Sequence, residues 1–263
     1  MMDDALVSRL RAAGCVFAED EAAMLRSAAN DEADLEHMVA RRIAGEPLEV
    51  VVGYAAFAGL RIPVAAGVFV PRVRTELVAR LAAQLAPPSS IVVDLCCGSG
   101  AIAAAVAHSR PDLAVWAADI DPAAVALAST TLAPFGARAL VSDMDAALPA
   151  SLKGRVAVVA SCPPYVPTGE VALMPPEARD HEPLAALDGG ADGVTMQSRV
   201  FEAALRLLTA DGCCIVETSD HLSDTTLAAA TAAGWTARLE TDESIGAVVV
   251  VARRQEPSSA SQS

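Results

Sequence analysis

The first stretch of this sequence that could do chemistry is V-V-D-L-C-C-G-S-G-A-I, positions 92 to 102. A strand-like run enters a tight turn with Gly98 and Gly100, where backbone N–H groups can approach a bound group closely, and a helix opens behind it. Ala103 fills the third place of a G-x-G-x-x-G pattern, and Cys96 stands where related loops often carry glycine. Asp119, in A-A-D-I-D-P, lies 19 positions after Gly100 at the end of a second apolar run. That is close to the spacing of about 20 residues at which a carboxylate accepts hydrogen bonds from both hydroxyls of a ribose. Alone, Asp119 would read as a residue capping the helix that Pro122 begins. Together, the two stretches describe a site for an adenosine-type cofactor.

The third stretch is S-C-P-P-Y-V at 161 to 166, after the apolar run Val156 to Ala160. Pro163 and Pro164 fix φ and remove two N–H donors, so carbonyls at the strand's carboxyl end can face a crevice with little entropy left to lose. Tyr165 adds a flat wall. In an open α/β sheet that crevice is where ligands bind, and the corner faces the Gly98 loop if the two strands are neighbours.

The elements that must position these residues read as follows. From Thr75, apolar strand-like runs at 91–93, 114–117, 139–141, 156–160 and 214–216 alternate with helical stretches at 77–85, 102–108, 123–132 and 196–208. Such alternation predicts a parallel sheet covered on both faces, the doubly wound class. Trp235 to Leu239 and Ala247 to Val251 read as a terminal strand pair, and the end of the chain as a polar tail. Upstream, Leu6 and Leu10, then Glu19 to Ala29, then Leu35, Met38, Val39 and Ile43 are spaced for a small helical bundle. Val50 to Tyr54, Leu60 to Ile62 and Val68 to Val70 read as short connecting strands. The expected division is a helical substrate-docking domain at 1–48, a hairpin at 49–74, the catalytic domain at 75–253 and a disordered tail at 254–263.

With 263 residues, 53% of them hydrophobic, the chain can bury a core and carry a small second domain. No run approaches the roughly 18 apolar residues of a membrane span, and Met1-Met2-Asp3-Asp4 lacks the basic start of a secretory signal, so a soluble cytoplasmic protein is expected. A net charge of −14 argues against a phosphate-collecting surface and for protein or small-molecule partners. The six cysteines (Cys15, Cys96, Cys97, Cys162, Cys213 and Cys214) show no C-x-x-C spacing and read as reduced thiols.

Read in order, R-R-I-A-G-E-P-L at 41–48, P-R-V-R-T-E at 71–76, the D-x-x-x-G-x-G loop, Asp119, Ser142-Asp143, the P-P-Y corner and H-E-P-L-A-A-L at 181–187 resemble the HemK/PrmC-type protein-(glutamine-N5) methyltransferases. The resemblance covers roughly residues 5 to 252. It implies a mostly parallel, seven-stranded class I fold that uses S-adenosylmethionine. Cys96, Cys97, Gly98, Ser99 and Gly100 would wrap the methionine part of the cofactor, Asp119 would hold the ribose, and Asp143 with Met144 would border the adenine. Pro71, Arg72, Thr75 and Glu76 would form a lid, joined on the acceptor side by His181 and Glu182. The corner, Cys162, Pro163, Pro164 and Tyr165, would seat the side chain to be methylated, with Cys162 also touching the cofactor. The acceptor implied is a glutamine of a translation release factor, within Gly-Gly-Gln, or of a ribosomal protein; the enzyme would be a monomer that binds no metal.

The family's corner reads Asn-Pro-Pro-Tyr, and this chain has Cys162 at the first place. An amide nitrogen is a poor nucleophile because its lone pair is delocalised, so both of its N–H bonds must be held. A thiol is only a weak acceptor. The expectation is a competent cofactor binder whose glutamine methylation is weak or whose acceptor differs: a small molecule, a nucleic-acid amino group, or none. Val73-Arg74 also replaces the usual Pro-Asp of the lid. Cys96, Cys97 and Cys162 could form a redox-sensitive cluster, but small buried apolar residues are the simpler reading. Cys213-Cys214 reads as core, His181 as a loop-fixing hydrogen bonder, and Glu177, Arg179 and Asp180 as solvated charges, with Arg179 a further candidate for substrate contact.

Overall fold

A computed structural model describes residues 2–254. The chain begins with α1 (Met2–Ala12), α2 (Ala18–Ala28), α3 (Glu32–Ile43) and α4 (Leu48–Val52), which enclose a small core of Leu10, Leu25, Val39 and Val51. Asp31 starts α3 by accepting from the Asp34 N–H at 2.9 Å, and Arg41 and Arg42 close it, charges placed as the helix dipole favours. Arg42 is buried and pairs with Glu21 at 2.7 Å and Glu177 at 2.6 Å, which ties the bundle to α8 (Pro176–His181).

Three expectations for this half need correction. Val50 to Val52 is helical despite its β-branched residues, because Pro47 starts the turn, Gly53 ends it at φ 82°, and Val51 packs into the bundle. Val68 to Val70 forms no strand; the Val70 N–H is given to Glu182 Oε1 at 3.2 Å instead of to a ladder. Ile43 is exposed, one turn beyond the buried face. The hairpin that does form is β1 (Tyr54–Phe57) with β2 (Leu60–Pro63), closed by Ala58 and Gly59, both at positive φ.

The seven-stranded sheet consists of β3 (Ile91–Leu95), β4 (Ala114–Asp119), β5 (Arg138–Val141), β6 (Val156–Ser161), β7 (Leu208–Thr218), β8 (Trp235–Asp242) and β9 (Ala247–Arg254), in the order β5-β4-β3-β6-β7-β9-β8. The first five in the chain run parallel, and β9 lies antiparallel to β7 and β8. This is the doubly wound, mostly parallel arrangement expected. One face packs on α5 (Glu76–Leu85), α6 (Ala101–Ser109) and α7 (Pro122–Leu132), the other on α9 (Thr195–Leu207) and α10 (Ser223–Ala232). Along β7 the alternation is literal: Cys213 and Ile215 join the first core, Cys214 and Val216 the second, all four buried. Arg254, expected as the first residue of the tail, ends β9; the rest of that expected tail, 255–263, lies outside the described residues. No described helix is long and apolar enough to cross a membrane.

Strand order reverses between β3 and β6, whose register pairs Leu95 with Ser161. Loops leaving those two carboxyl ends therefore diverge and leave a crevice between them.

Candidate active site

Cys96 follows β3 and Cys162 follows β6, so both flank that crevice. A cavity of about 200 Å³ opens there, with the Gly98 loop, Asp119, Met144, Cys162, Pro164 and Thr75 in its wall. The loop turns sharply: Cys96 (φ 57°), Gly98 (φ 53°) and Gly100 (φ 81°) all take left-handed backbone. At Gly98 a side chain would meet nothing within 4 Å, so the glycine serves an open cradle, whereas at Gly100 a Cβ would lie 3.1 Å from Ala128 Cβ of α7.

Asp119 fixes the loop from the next strand. Its Oδ2 accepts from the Gly98 N–H at 2.8 Å and its Oδ1 from the Asp121 N–H at 3.0 Å. A carboxylate offers about four lone-pair positions, so two remain for outside donors. Burial raises the Asp119 pKa above the ordinary aspartate range. Beneath the loop, Asp94 is wholly buried; its Oδ2 accepts from the Ala103 N–H of α6 at 3.1 Å and its Oδ1 has no partner among the described residues. Ser99 Oγ is likewise buried without a partner. Across the cavity Asp143 is held by Arg199 of α9 at 2.7 Å, and Met144 beside it is buried.

The proline corner is clamped from behind by the chain at 187–193. Val166 donates to Leu187 O at 3.0 Å, Gly189 donates to Val166 O at 2.8 Å, and a Cβ on Gly189 would strike the Tyr165 Cα at 2.6 Å. Tyr165 does not face the cavity. Its hydroxyl donates to Glu217 Oε1 at 2.9 Å and accepts from Arg74 Nε at 3.1 Å, and Arg74 Nε also reaches Glu217 Oε1 at 3.1 Å. Burial, then Glu217, pushes the Tyr165 and Cys162 pKa values up, so both keep their protons. Burial also raises Cys97 well above the usual thiol value and Cys96 to about 12, leaving no thiolate for a redox cluster at neutral pH.

Of the residues expected at the cofactor, Cys96, Cys97, Gly98, Ser99, Asp119, Asp143, Met144 and Cys162 line one cavity, and Gly100 sits behind it, packed on α7. Of those expected on the acceptor side, Thr75 and Pro164 line it, and Pro71 of the lid does too. Pro163 is buried at the corner. The others hold the surroundings. Arg72 donates to Glu182 Oε1 at 2.6 Å, joining the 70–72 segment to the end of α8. Glu76 accepts from the Ala58 N–H at 2.7 Å and ties the hairpin to α5. His181 lies by Gly45, next to the bundle. Glu177 pairs with Arg42 while its own side chain stays half exposed, and Arg179 pairs with its neighbour Asp180 on the surface. The sequence reading missed Glu217 and Arg199, and took Arg74 only as a departure. Glu217 could have been found by the signal that found Asp119, an acid ending an apolar strand run.

Comparison with known proteins agrees with this geometry. The Methyltransferase small domain family matches residues 60–174. A release factor glutamine methyltransferase of Mycolicibacterium smegmatis is 41% identical over 76% of this chain and 71% of its own. The chain belongs to the release factor glutamine methyltransferase (HemK/PrmC) family. A second relative within reach of that family, the 4-amino-L-phenylalanine/4-methylamino-L-phenylalanine methyltransferase of Streptomyces pristinaespiralis, is 37% identical over 69% of this chain and 64% of its own. The fold is shared with a ribosomal protein L11 methylase of Lactobacillus delbrueckii, at TM-score 0.52 and 14% identity over 74% of this chain and 86% of that one.

As a member of this family the chain is an S-adenosylmethionine-dependent methyltransferase. The residues present fit that cofactor: an open cradle at Gly98, two spare acceptor positions on Asp119, unpartnered polar atoms on Asp94 and Ser99, and an apolar wall at Met144. Among the described residues no cluster of His, Cys, Asp and Glu is arranged to hold a metal ion.

Proposed function

We propose that this chain is a monomeric cytoplasmic enzyme that methylates the side-chain nitrogen of a protein glutamine, with the Gly-Gly-Gln loop of a release factor as the first acceptor to test. The observation that carries the reading is that the Cys162-Pro163-Pro164-Tyr165 corner and the Gly98 loop leave the two strand ends that flank the switch point, with Cys162 and Pro164 of the corner in the wall of the same cavity as the loop. When bound, S-adenosylmethionine supplies a methyl group on a sulfonium, already activated for transfer.

The chain's own residues then have to orient a poor nucleophile. Asp119 and the Gly98 turn hold the ribose and methionine ends; Met144 offers a soft apolar face to the adenine. Among the described residues no group donates to the Pro163 carbonyl, which leaves it free to accept one amide N–H, its direction fixed by two consecutive prolines and the 187–193 clamp. The second N–H meets Cys162. With a thiol there, orientation is weaker than with an amide oxygen, and loss of one such placed group costs on the order of 10²–10³ in rate by analogy with oxyanion-hole deletions.

The test is transfer to purified release factor, read by mass spectrometry at the glutamine, beside calorimetry of cofactor binding. Slow single methylation by wild type, raised about tenfold or more by Cys162→Asn with cofactor affinity unchanged, is expected. Intact cofactor binding with no transfer by either protein would sink the glutamine reading.

The thiol at 162 favours one second reading, an acceptor amine. An amine keeps its own lone pair and needs no carbonyl-like partner, and a relative carries an arylamine acid in its name. Methylation of 4-amino-L-phenylalanine by wild type but not of release factor would select it.

A further inference from the structure

Two departures from the family pattern, Arg74 and Cys162, converge on one side chain. The register of β6 with β7 pairs Ser161 with Val216. One step further along both strands sets Cys162 beside Glu217, on the face that carries Ala160 and Ile215, where Cys162 is packed. Glu217 is wholly buried; Arg74 and Tyr165 both donate to its Oε1, and its Oε2 has no partner among the described residues. From the other side Thr75 Oγ1 donates to Cys162 Sγ at 3.9 Å. A buried carboxylate oxygen without a donor is costly. Beside the Arg74 guanidinium, which is engaged at Oε1 through its Nε, the Cys162 thiol is a neighbour with a hydrogen to give.

We propose that Cys162 donates its S–H to Oε2 of Glu217, and that the sulfur so polarised is the acceptor that orients the substrate N–H, with Glu217 and Arg74 as its positioning residues. A lone thiol is a weak acceptor, but linked hydrogen bonds strengthen one another in a low-dielectric interior. Arg74 supplies the countercharge that an interior carboxylate requires. One sulfur lone pair takes the Thr75 hydrogen and one remains for the cleft. No covalent bond is made or broken and no proton changes owner in this step. The kinetic consequence rests on the glutamine reading above; the hydrogen bond itself does not.

Infrared difference spectra of wild type against Cys162→Ala isolate the S–H stretch of Cys162. It is expected at lower frequency than those of the buried thiols Cys213 and Cys214, isolated in the same way, and to move upward in Glu217→Gln. A Cys162 band at the frequency of the other two in wild type overturns the proposal. With release factor as probe, Cys162→Ser, whose hydroxyl makes the same bonds, keeps at least the wild-type kcat, while Cys162→Ala loses about tenfold or more with the KM for S-adenosylmethionine unchanged. Equal rates for Ser and Ala overturn it without any change at Glu217. If no variant, Cys162→Asn included, methylates release factor, the glutamine reading falls and the infrared band alone decides this one.

Discussion

The two halves of the cleft are built on different plans. The cofactor half is made of backbone and one carboxylate: a left-handed turn at Cys96, Gly98 and Gly100, with Asp119 bound to the Gly98 N–H from the next strand. Its parts, Cys96 to Asp119, lie close together in the chain, a local strand-loop-helix-strand unit. The acceptor half is made of side chains drawn from Arg74, Thr75, Cys162, Tyr165 and Glu217, which only the assembled sheet brings together. A site made of backbone tolerates few changes, whereas one made of side chains can change its partners in pairs. Arg74 and Cys162, two positions read from the sequence as differing from the family's pattern, both lie in that half.

If the comparison holds, damage in the cofactor half removes binding while damage in the acceptor half removes only transfer. The largest effect is expected for Asp119→Ala. It deletes the carboxylate proposed to accept from two ribose hydroxyls and leaves the Gly98 and Asp121 N–H groups unpaired. Hydrogen bonds to a charged group contribute about 1.5–3 kcal/mol each, so cofactor affinity should fall at least about 100-fold by calorimetry. A loss below tenfold would mean that the turn, not the carboxylate, dominates binding.

Next comes a contrast inside the loop. Alanine at Gly100 must adopt φ 81° and press its Cβ to 3.1 Å from Ala128, against α7. Left-handed backbone costs about 1–2 kcal/mol, and overpacking about 1–3 more, so a loss of about 2–5 kcal/mol in chemical denaturation is expected. Alanine at Gly98 faces open space and has the backbone cost alone, about 1–2 kcal/mol. Equal losses would show that the loop is not braced by α7.

The same division decides what could be read in advance. The sheet, its two helical faces and the Gly98 and Asp119 stretches were legible because each is a local pattern of period and turn chemistry. The corner was legible as a rigid bend, but not the direction of Tyr165, which turns away from the cavity to a partner 52 positions later. Thr75 lines the cavity, whereas Arg72, Glu76, His181 and Glu182 brace the lid and hairpin outside its wall. Helix α4 hid behind three valines, since packing on the bundle outweighs strand propensity. Helix α10 escaped notice because its alanine-rich sequence has little amphipathic contrast.

The smallest effect, and the one that opposes intuition, lies under the loop at Asp94. Its carboxyl is wholly buried with Oδ1 unpartnered, and burial raises its pKa well above the ordinary aspartate value of 3.8. A folded-state pKa above the unfolded one means that the fold favours the protonated acid: its contribution is full below the unfolded pKa and is lost as pH rises through the folded pKa. Asp94 therefore costs the cofactor-free protein stability at neutral pH. Asp94→Asn keeps an oxygen for the Ala103 N–H, and should raise neutral-pH stability by about 1 kcal/mol while flattening its decline between acid and neutral pH. Denaturation curves across that range check both. A stability gain accompanied by weaker cofactor binding would place Asp94 with Asp119 in the half of the cleft that holds a bound charge; a loss of stability at every pH would instead make it a structural brace for α6.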